Sequence, residues 1–277
     1  MKSKVVKISD DIIFSNDLPL VYIAGTCVIE SRDNYLKTIS DLKKYFEILN
    51  SKFVAKASFD KANRSSINSF RGIGFDKAIE ILKTVKQKFK LPILVDIHLP
   101  DQAQKVKEVA DIIQIPAFLC RQTDLVLAAG ETQKAVNVKK GQFLSPYEVE
   151  NIIKKIESTK NNKIIITERG TTFGYNNLVV DMRGFEIMKQ FGYPIVFDAT
   201  HSVQRPGGLA FKTGGDRQFI LPLSKSAVAQ GIAGVFFETH INPEKALSDG
   251  SNSLPLAEVK SYVSILNKLD KLVKSIM

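Results

Sequence analysis

With 277 residues, 44% of them hydrophobic, the chain has the length of one (β/α)8 barrel and the apolar material for a full core. No uncharged apolar stretch approaches the roughly 18 residues of a membrane span, Asp10 and Asp11 interrupt any imitation of a secretion signal after Lys2 and Lys4, and two cysteines, Cys27 and Cys120, exclude a disulfide framework. A cytoplasmic protein with no membrane partner is expected, and a formal charge of +10 leaves nucleic acid, an acidic surface or small anionic substrates to be weighed.

Residues 1–18 stand apart from the rest of the chain. Val5 to Ile8 and Ile12 to Ser15, around Asp10-Asp11, read as a small hairpin that closes a barrel floor. Apolar runs then come at Leu20 to Cys27, Phe53 to Phe59, Ile93 to His98, Ile112 to Pro116, Ala135 to Lys140, Ile164 to Gly170, Pro194 to His201 and Gly234 to Ile241, and each reads as a strand. Helices are expected between them. Ser31 caps one that reaches Leu49, and Ser145-Pro146 gives a cap and first-turn proline before the stripe Val149, Ile152, Ile153, Ile156. Others fall near 75–89, 101–109, 122–130, 179–190, 218–231 and 256–276. Strand then helix, repeated along 1–277, requires a parallel sheet with right-handed crossovers. The fold class is therefore α/β, a single-domain (β/α)8 TIM barrel, with a doubly wound open sheet as the alternative.

The apolar runs end on chemistry. Cys27, Lys56, Asp96, His98, Gln114, Lys139, Glu168, Arg169, Asp198, His201, Glu238 and His240 lie at or near their ends, where a barrel collects its catalytic groups. Most other cations alternate with acids on helices, as in Arg32, Asp33, Lys37, Asp41, Lys43 and Lys44, which is the pattern of a solvated face. Nucleic acid is accordingly set aside. Lys56, Lys61, Arg64, Lys139, Lys140 and Arg169 lie in or just after strands instead, and are candidates to bind phosphate or carboxylate. The pleat puts Val54, Lys56 and Ser58 on one face, inside the barrel mouth. Lys61-Ala62-Asn63-Arg64-Ser65-Ser66 then supplies the donors that a phosphate needs. Arg71-Gly72-Ile73-Gly74 lacks the third glycine of a dinucleotide loop and reads as a turn, so no organic cofactor is expected.

The run Phe59-Asp60-Lys61-Ala62-Asn63-Arg64-Ser65-Ser66 resembles the motif of the 3-deoxy-D-manno-octulosonate 8-phosphate synthases. The likeness continues in order through Gln114 to Phe118, Arg121 to Asp124, Asn137 to Lys140, Glu168 to Gly170, Phe173 to Tyr175, Phe197 to His201 and Ser248 to Gly250. The resemblance implies a transferase that condenses phosphoenolpyruvate with arabinose 5-phosphate and water. It implies phosphoenolpyruvate on Lys56, Lys61, Gln114, Lys139 and Arg169, with Ser58 beside them. It implies arabinose 5-phosphate on Asn63, Arg64 and Ser65, the last two reaching across a subunit boundary in a homotetramer. Asp96 is placed near the sugar aldehyde. Catalysis is assigned to Lys56, Lys61, Asp96, Lys139 and His201.

Cys27, His201, Glu238 and Asp249 are too scattered for spacing to join them, but a closed barrel brings strand eight beside strands one and seven. Thiolate, imidazole and two carboxylates suit a divalent transition metal such as zinc, iron or manganese. By the resemblance, Cys27 marks the metal-dependent class, where metal-independent members carry asparagine; Thr26 departs from the proline common before it. His98 and His240 are expected to support the site through hydrogen bonds, and Cys120 to pack. Gly207, Gly208, Gly214 and Gly215 frame a segment, 202–216, that is expected to cover the substrates. Two enzymatic rivals remain. One is the synthase that uses erythrose 4-phosphate, whose lysine–proline–arginine–threonine loop is not matched by Lys61 to Arg64; the other is a Schiff-base aldolase with Lys56 or Lys139 as nucleophile.

Overall fold

The computed structural model describes residues 3–64, 66–209 and 212–277. Eight parallel strands coincide with the eight runs: β1 Val21–Gly25, β2 Lys52–Ala57, β3 Ile93–Asp96, β4 Ile112–Ile115, β5 Ala135–Lys139, β6 Ile164–Glu168, β7 Ile195–Asp198 and β8 Gly234–His240. Each pairs with the next, and β8 also pairs with β1, Glu238 opposite Gly25, so the sheet closes. The chain is a (β/α)8 barrel.

Around it run α1 Arg32–Ile48, α2 Phe75–Phe89, α3 Pro100–Val106, α4 Thr123–Glu131, α5 Val149–Glu157, α6 Arg183–Lys189, α7 Ile220–Val228 and α8 Val259–Ile276. Ser31 Oγ accepts the Asn34 N–H at 3.3 Å, and α5 buries Val149, Ile152, Ile153 and Ile156 as its stripe requires. Expected and observed boundaries differ most at α6. Leu178 and Val179 pair with Thr171–Thr172 in a small hairpin, which keeps them out of the helix. No helix among the described residues is long and apolar enough to cross a membrane.

The N-terminal segment pairs Val6–Lys7 with Ile13–Phe14, and Val6, Ile12 and Phe14 are buried against the barrel's inward residues Val21, Ile23, Val54, Leu94, Ile112, Ala135, Ile165, Val196 and Phe236. The hairpin is the floor of the barrel. Asn16 fixes it there, its Nδ2 donating to the Tyr193 carbonyl at 3.1 Å and its Oδ1 accepting the Ile195 N–H at 2.9 Å. At Gly234 an added Cβ would stand 2.3 Å from the Val21 carbonyl oxygen and 3.3 Å from the Phe14 ring, so the plug requires glycine.

Side chains two residues apart share a strand face. One step up from the apolar floor, the inward positions become Gly25, Lys56, Asp96, Gln114, Asn137, Thr167, Asp198 and Glu238. Seven of the eight strands change from apolar to polar at the same height, and β1 carries a glycine there. The interior above the floor is therefore polar and almost dry, since all of these side chains are buried.

Candidate active site

A cavity of about 280 Å³ opens at the C-terminal mouth of the barrel. Its wall includes Lys61, Asn63, Arg64, Asp96, Gln114, Lys139, Arg169, His201, Glu238 and Asp249, drawn from strand ends and loops all around the ring. Closure of the barrel is what brings them together. Lys56 and Ser58 lie beneath the wall instead of on it. The Lys56 ammonium is fully buried and donates to the carbonyls of Thr26 at 3.1 Å and Cys27 at 2.7 Å and to Glu238 Oε1 at 2.5 Å. Gly25 lets β1 lie against β2 at this level, for a Cβ there would meet the backbone carbonyl oxygen of Lys56 at 2.0 Å. Ser58 Oγ donates to Asp96 Oδ2.

The charges hold one another ionised. Burial works against the Asp96 carboxylate, but Lys56, Lys61 and Lys139 outweigh it and keep its pKa at about 2. Burial likewise opposes Glu238 and Asp198. The ring of cations wins at both and holds them well below the usual carboxylate range, Lys56 leading at Glu238, and His201 and Lys139 at Asp198. Lys61, 3.7 Å from Asp96 and 3.8 Å from Glu238, loses less to burial than it gains from Cys27, Glu238, Asp96 and Asp249, so its ammonium is held well above the ordinary value. At Lys139 burial prevails and lowers the pKa despite the ion pair with Asp198. Its Nζ also stands 3.5 Å from the centre of the Phe236 ring, a cation–π contact that an aromatic residue within an apolar run does not advertise.

Two cations keep donors in reserve. Arg169 Nη2 donates to Gln204 Oε1, while its buried Nη1 has no hydrogen-bond partner among the described residues. Arg64 Nη1 donates to Ser248 Oγ at 2.8 Å, lies 3.8 Å from Asp249 Oδ1, and leaves its own Nε free of hydrogen bonds among the described residues. Arg64, expected to act across a subunit boundary, thus lies on the cavity wall of its own chain: the loop after β2 folds directly onto the rim. Asn63 lines the same cavity, and Ser65 falls outside the described residues.

Next to Arg64, Cys27 Sγ, a Glu238 carboxylate oxygen and an Asp249 carboxylate oxygen all lie within 4.8 Å of one another. Glu238 Oε2 is buried and has no hydrogen-bond partner among the described residues. Burial first, then Asp249 and Glu238, push the Cys27 thiol well above its ordinary pKa. A buried oxygen without a partner, beside a thiol and a second carboxylate, is a donor set that a divalent cation fits. His201, the fourth expected ligand, stands outside that group. Its Nε2 is 3.6 Å from Glu238 Oε2, and its Nδ1 lies 3.0 Å from Asp198 Oδ1.

The loop that carries Asp249 is tied down. Glu30 Oε1 accepts the Leu247 N–H at 2.8 Å, its Oε2 faces His240 Nε2 at 3.4 Å, and His240 Nδ1 accepts the Asn242 N–H at 3.0 Å. His98 lines the cavity with its Nδ1 buried and without a partner among the described residues, and burial lowers its pKa. Gln204–Leu209 pairs antiparallel with Lys212–Gly215, and Pro206 and Gly207 reach the cavity wall, so the glycine-framed segment lies over one side of the mouth. Residues 210 and 211 lie outside the described residues. Asp198, a strand-end residue to which the sequence assigns no role, is paired with Lys139 and His201; the Phe197 to His201 run is its signal.

Comparison with known proteins agrees over the whole length. The family model described as "DAHP synthetase I family" matches residues 3–275. The 2-dehydro-3-deoxyphosphooctonate aldolase of Francisella tularensis subsp. holarctica (strain LVS) is 52% identical over 260 residues, covering 94% of each chain. Proteins with the same name from Trichlorobacter lovleyi, 52% identical over 92% of this chain and 94% of theirs, and from Fusobacterium nucleatum subsp. nucleatum, 48% identical over 96% of each, are similar to it as well. The chain belongs to the DAHP synthetase I family.

Proposed function

We propose that the protein condenses phosphoenolpyruvate with D-arabinose 5-phosphate and water, giving 3-deoxy-D-manno-octulosonate 8-phosphate and inorganic phosphate, a step toward the lipopolysaccharide inner core. The relatives' name supports this, since 2-dehydro-3-deoxyphosphooctonate aldolase is another name for that synthase. The observation that carries it is one cavity holding Lys61, Lys139, Arg169 and Arg64, the two arginines with donors in reserve. Two phosphorylated anions repel each other, and fixed cations in a site poor in water lower the cost of holding them side by side.

In the balanced reaction a C–C bond forms between C3 of phosphoenolpyruvate and the sugar aldehyde. Water adds its oxygen at C2, and phosphate leaves with cleavage of the C–O bond. Arg169, Lys139 and Gln114 hold the phosphoenolpyruvate anion, and Asn63 and Arg64 the pentose phosphate. Lys56 acts from below, fixing Glu238. Asp96, ionised and on the wall, orients Lys61 toward the aldehyde end and accepts a hydrogen bond from the Gln114 amide. Cys27, Glu238 and Asp249, with His201 alongside, would hold a zinc, iron or manganese ion, which supplies Lewis-acid polarisation when bound. A homotetramer belongs to the same reading, as the sequence resemblance implies.

The test is phosphate release from phosphoenolpyruvate with arabinose 5-phosphate and erythrose 4-phosphate offered separately, before and after chelation. The pentose phosphate should be preferred decisively, chelation should abolish turnover, and a divalent ion should restore it. Preference for the tetrose would move the assignment to the sister synthase, and full activity after chelation would remove the metal. Borohydride with substrate should leave Lys56 and Lys139 unmodified, because the proposed condensation passes through no imine.

A further inference from the structure

Four neutral or acidic side chains on adjacent strands form a one-way chain of hydrogen bonds beneath the cavity. Thr167 Oγ1 on β6 donates to Asn137 Oδ1 on β5 at 2.7 Å, Asn137 Nδ2 donates to Gln114 Oε1 on β4 at 2.7 Å, and Gln114 Nε2 donates to Asp96 Oδ1 on β3. Asn137 and Thr167 are fully buried, do not line the cavity and have no place in the chemistry above. Gln114 and Asp96, at the other end, do line it.

The direction of this chain is set by its charged end. An ionised carboxylate only accepts, so Gln114 must turn its NH2 toward Asp96 and its oxygen toward Asn137. Asn137 must then offer its NH2 and keep its own oxygen for a donor, and the Thr167 hydroxyl is that donor. A flipped Gln114 would set oxygen against oxygen at Asp96 and NH2 against NH2 at Asn137. The lysines around Asp96 keep it ionised, and with it the polarity of every bond in the chain.

We infer that Asn137 and Thr167 are positioning residues: through this relay they hold the Gln114 amide with its nitrogen at the cavity, where its second N–H serves the anionic substrate. The inference rests on the proposed phosphoenolpyruvate site. Charge around the ring attracts an anion, but only a fixed amide gives it a donor at a set point on the wall. Breaking the relay leaves Gln114 free to present its oxygen to the anion instead.

Thr167→Val removes the hydroxyl at nearly constant shape, and Thr167→Ser keeps it. Asn137→Asp offers only oxygens to Gln114, so it reverses the chain from the middle. Phosphoenolpyruvate binding by calorimetry, without the second substrate, is measured for each variant beside the KM values for both substrates and the thermal midpoint. Thr167→Val and Asn137→Asp should weaken phosphoenolpyruvate binding by about tenfold or more, the scale of one hydrogen bond to a charged group. Thr167→Ser should bind as the parent does, and KM for the pentose phosphate should stay within about twofold, well inside one hydrogen bond's effect. Unchanged phosphoenolpyruvate affinity in Asn137→Asp, or equal losses for both substrates, would overturn the relay. If the parent binds phosphoenolpyruvate but does not condense it with the pentose phosphate, the proposed function fails while the binding series still decides this point.

Discussion

Leu94 and Asp96 face the same axis from one strand, two residues apart, as do Ile112 and Gln114, Val196 and Asp198, and Phe236 and Glu238. The lower member of each pair belongs to the apolar floor and the upper to the charged mouth. The floor gains its free energy from burial of apolar surface, roughly 25 cal/mol per Å², and asks nothing of its residues but shape. The mouth is expensive. Each buried charge there loses hydration, and the loss is recovered only where a partner of opposite sign stands in good geometry. Stability and chemistry are thus separated along the strand direction, and the two ends should respond differently to substitution.

The sharpest break in that contrast is Glu238→Ala. The Lys56 ammonium would keep two backbone carbonyls but lose the buried carboxylate it holds at hydrogen-bonding distance, and Lys61 would lose one of its two carboxylates. Removing one partner of a buried pair costs about 3–5 kcal/mol. Urea unfolding should show a loss of that size, and phosphate release should fall to background. A variant of parental stability would mean that the two backbone carbonyls suffice to hold the buried Lys56 ammonium.

Phe14→Ala, at the floor, should cost a similar amount of stability, about 3–5 kcal/mol for an aromatic deleted from a packed core. Its effect on chemistry is the point of difference. Phe14 lies below the polar layer and does not line the cavity, so turnover per folded chain, with folding verified by circular dichroism, should equal the parent's. A drop in turnover at full folding would show that the plug sets the geometry of the mouth.

The same division decides how much is legible in the sequence. Apolar runs ending in charge announce strands and a rim, and caps and stripes bound helices α1, α2 and α5 closely. The expected extension of α6 back to residue 179 fails because Val179 is apolar whether it packs in a helix or pairs in a short hairpin. At the site, lysines and carboxylates in strands are visible because no solvated face explains them. Asn137, Thr167 and Phe236 are not, since a neutral polar residue or an aromatic in a strand looks like ordinary interior. Their roles exist only when the sheet closes. Lys56 shows the limit most clearly: the pleat places it inside the barrel, but only coordinates reveal that its ammonium is used up beneath the wall.

The smallest expected effect concerns acid. The Asp96 carboxyl has a pKa of about 2 in the folded chain against an ordinary value of 3.8, so folding favours its ionised form. Stability from this group is present above about pH 4 and is lost as pH falls through the folded value, a difference worth about 2 kcal/mol. Glu238 and Asp198, also held low, act in the same direction. Asp96→Asn should therefore make the fall in stability between about pH 4 and pH 2 shallower by about 2 kcal/mol without removing it. Phe14→Ala should leave that slope as it is, because the buried apolar residues packed with Phe14 do not titrate. Urea midpoints across this range for the parent and both variants decide the matter: an unchanged slope in Asp96→Asn would show that the cations of the mouth do not hold this carboxylate ionised, and the charged end of the barrel would then rest on the pairs that Glu238 and Asp198 make with Lys56 and Lys139.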